Sequence, residues 1–131
     1  MAKPTRGYIG WAIDDATRAR LLSIFPPAYP RVVAHHCTLE FGVTQDHQLP
    51  SAKKARVVGQ ADDLHGVQAI VLEIDGTTFR PDGQTYHITW SLEANRKPVE
   101  SNQVIASNGY TALENPVEID IHPKFFPMGS K

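Results

Sequence analysis

The chain has 131 residues, 41% of them hydrophobic and 21% charged, with a formal net charge of −1. This length suits one domain with a core of its own and leaves little room for a second. The near-neutral charge, with basic residues scattered from Arg18 to Lys124, argues against a protein that grips long duplex nucleic acid, because phosphate neutralisation supplies most of that affinity.

No apolar run approaches the roughly 18 residues of a membrane span. The start, Met1-Ala2-Lys3-Pro4-Thr5-Arg6, lacks the apolar stretch of a signal peptide. Cys37 is the one cysteine, so no internal disulfide can form, and a reducing cytoplasm is the expected setting. A monomer without a membrane partner is expected.

Gly7 to Ile13 (GYIGWAI) is apolar and aromatic and predicts a buried strand. Asp14 or Asp15 then caps a helix over ATRARLLSIF, where acidic residues suit the positive N-terminal end. That helix stops near Phe25, because Pro26-Pro27 cannot continue it. Val32 to Val43 predicts a second strand, followed by a polar loop from Gln45 to Pro50. Ala55 to Ala61 and Gly66 to Asp75 predict the third and fourth strands. Pro81-Asp82-Gly83 signals a turn. Gln84 to Leu92 (QTYHITWSL), with strong alternation, predicts a fifth strand.

Pro98 to Ser107 predicts a second helix, with Pro98 in its first turn and Asn108-Gly109 as its stop. Pro116 to Ile121 leads into a final strand, and the tail ends in Pro127-Met128-Gly129-Ser130-Lys131. The order β-α-β-β-β-β-α-β implies an α+β fold with a mainly antiparallel sheet and few helices. Each half contributes one helix and one strand bearing the pattern His-x-Thr. This hints at internal symmetry within a single domain over residues 1–131.

The two patterns are His36-Cys37-Thr38-Leu39 and His87-Ile88-Thr89-Trp90, with their histidines 87 − 36 = 51 residues apart. Chance predicts about 0.4 copies of His-x-Thr in a chain of this composition. Both copies fall inside predicted strands, and each is followed by a large apolar residue. Side chains at i and i+2 of a strand share a face. His36 and Thr38 therefore project together, as do His87 and Thr89. The opposite faces, with Val33, His35, Cys37, Leu39 and Phe41 on one strand and Tyr86, Ile88, Trp90 and Leu92 on the other, are mostly core-like.

If those strands lie side by side, two imidazoles and two hydroxyls converge. That set suits phosphodiester cleavage, where in-line displacement needs a base for water and an acid for the leaving oxygen. An unperturbed histidine pKa of about 6.5 makes both forms available near neutrality. Threonine hydroxyls can donate to the non-bridging oxygens, where charge grows. This chemistry requires neither metal nor cofactor.

The paired His-x-Thr strands resemble those of the two-histidine (2H) phosphoesterase superfamily, whose members carry two copies of His-Φ-Ser/Thr-Φ, with Φ apolar, across a pseudo-twofold cleft. HITWSL, followed by KPVESN at Lys97 to Asn102, is similar to the second-motif region of the cyclic phosphodiesterase domain of tRNA ligases. The resemblance extends the internal symmetry to two small lobes in a pseudo-twofold arrangement around a central cleft. It implies that His36 and His87 are acid and base, and that Thr38 and Thr89 hold the phosphate. It also implies hydrolysis of a 2′,3′-cyclic phosphate on a small nucleotide or RNA end, leaving a 2′-phosphate. Some relatives of that kind degrade cyclic nucleotide second messengers instead. A nucleotide- or RNA-end-binding module without catalysis is the remaining alternative.

Tyr8, Trp11 and Phe41 are candidates to stack on a base, as aromatics do on single strands, although each also suits a core. His35, on the face opposite His36, is expected to be structural. His47 and His65 fall in polar turns, and His122 carries no assigned role. Cys37 points to the predicted core and is not expected to act as a nucleophile. Ser101 and Asn102 are expected to serve the start of the second helix.

Overall fold

A computed structural model describes residues 5–128. Its elements are β1 (Arg6–Ala12), α1 (Asp15–Ile24), β2 (Arg31–Val32), β3 (His36–Thr44), β4 (Lys54–Asp62), β5 (Val67–Glu73), β6 (His87–Leu92), α2 (Glu100–Asn108), β7 (Thr111–Asp120) and β8 (His122–Pro127). The strands form one curled sheet in the order β7-β4-β5-β6-β3-β1-β8, with β2 also on β6. Its pairings are antiparallel, giving the expected α+β class with few helices.

Local chemistry explains the helix ends. The Asp14 carboxylate accepts from the Thr17 amide at 2.8 Å, satisfying one of the free donors at the start of α1. The chain leaves α1 at Phe25, just before Pro26-Pro27. α2 ends at Gly109, whose φ of 68° suits a residue without a side chain.

Three segments depart from the sequence-based expectation. The strand expected over 32–43 is broken before His36, because Ala34 takes a left-handed φ of 43° and interrupts the pleat. The strand expected at 116–121 is the second half of β7, which contains Pro116. The segment read as a tail contains β8, with Pro123 and Pro127. β7 and β8 are the two edges of the sheet, where a missing amide hydrogen costs no ladder bond. The prolines therefore masked strands that only an edge could hold.

One face of the sheet packs a core around Trp11, Cys37, Ile70, Leu72, Ile88 and Trp90, with Leu21 of α1. Trp90 is fully buried and donates from Nε1 to the Phe25 carbonyl at 2.7 Å, which ties the end of α1 to β6. A smaller cluster joins Val104 and Ile105 of α2 to Ala69 and Val71 of β5. Among the described residues no helix is long and apolar enough to cross a membrane.

The halves β8-β1-β3 and β6-β5-β4-β7 meet where Cys37 pairs with Ile88. β3 and β6 run antiparallel through that pairing.

Candidate active site

Cys37 and Ile88 both point into the core, so their neighbours in sequence point to the other face. One residue either way along the antiparallel register sets His36 beside Thr89 and Thr38 beside His87. The two imidazoles are diagonal neighbours, and such positions lie about 7–8 Å apart. All four side chains line one cavity of about 430 Å³. Tyr8, Phe41 and Arg80 contribute to its walls, and Lys97, Pro98, Val99 and Asn102 close the side formed by the entry to α2.

Both imidazoles are pushed toward the neutral form. Burial, followed by the charges of His35 and His87, lowers His36 to about 4. Burial also lowers His87, and the positive charge of Arg80 adds to this, while its bond to Thr85 opposes it. His87 Nδ1 lies 2.8 Å from the Thr85 carbonyl. A carbonyl only accepts, so Nδ1 carries the hydrogen and neutral His87 keeps a bare Nε2. His36 Nδ1 lies 3.0 Å from His35 Nδ1, a partner able to donate or accept.

The two threonines differ. Among the described residues the Thr38 hydroxyl has no hydrogen-bond partner in the protein, which leaves it available to an oxygen in the cavity. Thr89 Oγ1 donates to the Pro98 carbonyl at 3.1 Å and sits 2.8 Å from Ser101 Oγ. Thr89 is thus tied to the start of α2, and Ser101 serves that link.

The three aromatic candidates separate. Tyr8 and Phe41 line the cavity, with ring centroids 5.3 Å apart. Tyr8 also stacks on Phe126 at 5.0 Å and abuts His36 at 5.2 Å, and burial raises its phenol pKa, keeping it protonated. Trp11 lies elsewhere. It is 2% exposed in the core, donates from Nε1 to the Ala52 carbonyl at 2.8 Å and meets Tyr86 edge-on. It does not line the cavity. Trp11 pairs with core-facing Cys37, one step out of phase with Tyr8.

Phe41 was expected on the core face, yet it is 50% exposed. The register of β1 against β3 slips twice, passing over Leu39 and Gly42. The inserted Leu39 shifts the alternation, so Phe41 joins Thr38 on the cavity side. Gly10 sits opposite Thr38, and a Cβ there would lie 2.1 Å from the Cys37 carbonyl oxygen. Only glycine permits that approach.

His35 is not on the far face. The left-handed Ala34 turns the chain so that His35, an exposed side chain, meets His36. Cys37 is buried, as expected, and burial raises its thiol to about 12.

Sequence reasoning missed Arg80 as a site residue. Its side chain is 3% exposed, its Nε and Nη2 bond Asp82 at 3.2 and 2.9 Å, and Nη1 reaches the Thr38 carbonyl at 3.4 Å. The signal was an arginine immediately before Pro81-Asp82-Gly83, where the turn supplies its counter-ion. Lys97, Pro98 and Val99 lie in the KPVESN stretch that carries part of the resemblance, but local chemistry there signals a helix start and singles out none of the three as a site residue. Among the described residues no three His, Cys, Asp or Glu side chains converge to hold a metal.

Compared with protein-family models, with curated proteins and with solved structures, the chain matches none significantly.

Proposed function

We propose that the protein is a phosphodiesterase that hydrolyses a 2′,3′-cyclic phosphate on a nucleotide or RNA end by two-histidine acid–base catalysis, as do the 2H phosphoesterases it resembles. The observation that carries this reading is the diagonal placement of His36 and His87 on one cavity wall, on either side of the Cys37–Ile88 pairing. An anion between them meets one imidazole on each side, which in-line displacement at phosphorus requires.

His87, with a bare Nε2 in its neutral form, takes the proton of the attacking water. His36 supplies a proton to the leaving ribose oxygen. The Thr38 hydroxyl donates to a non-bridging oxygen, and the Arg80 charge behind Thr38 favours the growing negative charge. The cavity lies in the size range of small-molecule sites, and Tyr8 and Phe41 offer an aromatic surface to the base. The product is a 2′-phosphate with a free 3′-hydroxyl. A reducing cytoplasm suits the single buried thiol.

The test is incubation with a panel of 2′,3′-cyclic and 3′,5′-cyclic nucleotides, read by product analysis. Formation of 2′-phosphates from the 2′,3′ series supports the reading. Cleavage confined to 3′,5′ linkages would reassign the substrate to cyclic nucleotide messengers. Tight binding without product over hours would leave a binding module.

A further inference from the structure

In a regular strand adjacent side chains point to opposite faces, so neighbouring histidines cannot normally touch. Here His35 and His36 do, with Nδ1 to Nδ1 at 3.0 Å and their rings edge-to-face at 5.2 Å. The cause is Ala34. A left-handed φ is uncommon for a residue bearing a Cβ and persists where the surroundings over-determine it. Ala34 is fully buried and held at both ends, its amide donating to the Thr89 carbonyl at 3.0 Å and its carbonyl accepting from Arg18 Nε at 3.0 Å. The Ile13 amide fixes the His35 carbonyl at 3.3 Å. Phe126 packs against both rings, at 5.8 Å from His35 and 4.9 Å from His36.

We propose that His35 is a positioning residue that selects the tautomer of His36 and relays a proton to it. The proposal rests on the acid–base reading of the cavity.

An Nδ1–Nδ1 contact needs one hydrogen between the two rings. When His35 is the imidazolium it donates from Nδ1, and neutral His36 must then carry its hydrogen on Nε2, the nitrogen left for the cavity. When His35 is neutral with its hydrogen on Nε2, it accepts, and His36 presents a bare Nε2.

The step balances as follows. The Nε2 hydrogen of His36 passes to the leaving oxygen while the Nδ1 hydrogen of His35 passes to His36 Nδ1. Both rings end neutral, and the proton of the attacking water rests on His87 Nε2. Its return through solvent to His36 Nε2, with the Nδ1 hydrogen moving back to His35, restores the starting state. The depressed pKa of His36 makes a free His36 imidazolium scarce at neutral pH, and this route avoids it.

The charged and titratable groups packed around the pair are Arg18 of α1 on the Ala34 carbonyl, Lys124 of β8 over the Phe126 ring at 5.6 Å, Tyr8 of β1 against His36, and His87 of β6. Among the described residues no carboxylate pairs with His35, so the relay has no competing acceptor.

The test joins two measurements. Nitrogen-15 NMR of the histidine rings, followed from pH 8 to pH 5, reports the His36 tautomer directly. The proposal expects His36 to move from Nδ1–H to Nε2–H as the pH falls, and expects His35→Ala to abolish that change. In turnover of a 2′,3′-cyclic nucleotide, His35→Ala should lower kcat about 10- to 100-fold, the range by which partners that orient a metal-bound histidine affect activity. KM should hold, the acid limb of the pH profile should shift, and added imidazole should restore part of the rate.

A His36 tautomer indifferent to His35, or wild-type kcat and pH profile in His35→Ala while His36→Ala is inactive, would overturn the relay. Full activity in His36→Ala would instead sink the proposed function, and the tautomer measurement would still decide the pairing.

Discussion

Cys37 lies opposite Ile88 where β3 meets β6, and this buried pair fixes the geometry of everything on the far face. Neither residue touches the cavity. Both are held in the core, and the pleat then leaves His36, Thr38, His87 and Thr89 no direction but outward. The site follows from packing, since a slip of one residue would exchange the imidazoles for core side chains.

His36→Ala and His87→Ala should each reduce turnover of a 2′,3′-cyclic nucleotide by about 10²- to 10⁴-fold, the usual contribution of a positioned acid or base. Far-ultraviolet circular dichroism should be unchanged, and EDTA should leave the wild-type rate as it is. Full turnover by either variant, or strict metal dependence, contradicts the mechanism.

Thr38 and Thr89 should separate. Thr38→Val should lower kcat with little effect on stability, because its hydroxyl makes no bond within the described protein. Thr89→Val breaks the link to Pro98 and Ser101, and a lost buried partner costs about 1–3 kcal/mol. Urea midpoints and kcat measured together decide this. Equal stability loss in both variants would refute the distinction.

The aromatic residues should separate as well. Trp11→Ala empties a core site and should cost about 3–5 kcal/mol. Phe41→Ala touches an exposed ring, where substitutions usually stay within about 0.5 kcal/mol, and should raise KM for nucleotide. Gly10→Ala places a Cβ against the Cys37 carbonyl and should destabilise by about 1–3 kcal/mol, as overpacking does. A neutral Gly10→Ala would mean that β1 and β3 have room to part.

Acid should destabilise the protein through His36. The unfolded chain takes up this proton at the ordinary histidine value of about 6.5, whereas native His36 does so at about 4. Between those values the unfolded state binds more protons. Stability therefore falls as pH drops from about 6.5 to about 4 and levels off below. The His36 share is about 3 kcal/mol at most. His87 acts in the same direction. Urea unfolding at pH 7, 5 and 4 should show a shallower loss in His36→Phe than in wild type, and parallel slopes would refute the assignment.

Much of this was legible in the sequence for physical reasons. The two-residue alternation, the Asp14 cap, the Pro26-Pro27 stop and the Asn108-Gly109 stop locate most elements, because each acts locally. The paired His-x-Thr faces were legible because β6 as far as Thr89, and β3 as far as Thr38, keep regular alternation. The faces of Phe41, itself a stacking candidate, and of His35 were not, because parity counting assumes an unbroken pleat. The slip at Leu39 moves Phe41 to the cavity, and the left-handed Ala34 brings His35 to His36. Such features depend on bonds to distant residues, including Arg18 and Thr89. Arg80 escaped notice because its place beside Thr38 is long-range, the two lying 42 positions apart in the chain. Edge strands β7 and β8 were shortened or missed because proline argues against strand until the strand is known to be an edge.

The most direct test is phosphorus-31 NMR of a 2′,3′-cyclic nucleotide mixed with the wild-type protein and, separately, with His87→Ala. The account predicts conversion of the cyclic signal to a 2′-phosphomonoester by the wild type, and a variant that binds the cyclic ester yet leaves it intact. An unchanged cyclic signal with the wild type, or equal conversion by both proteins, would contradict it.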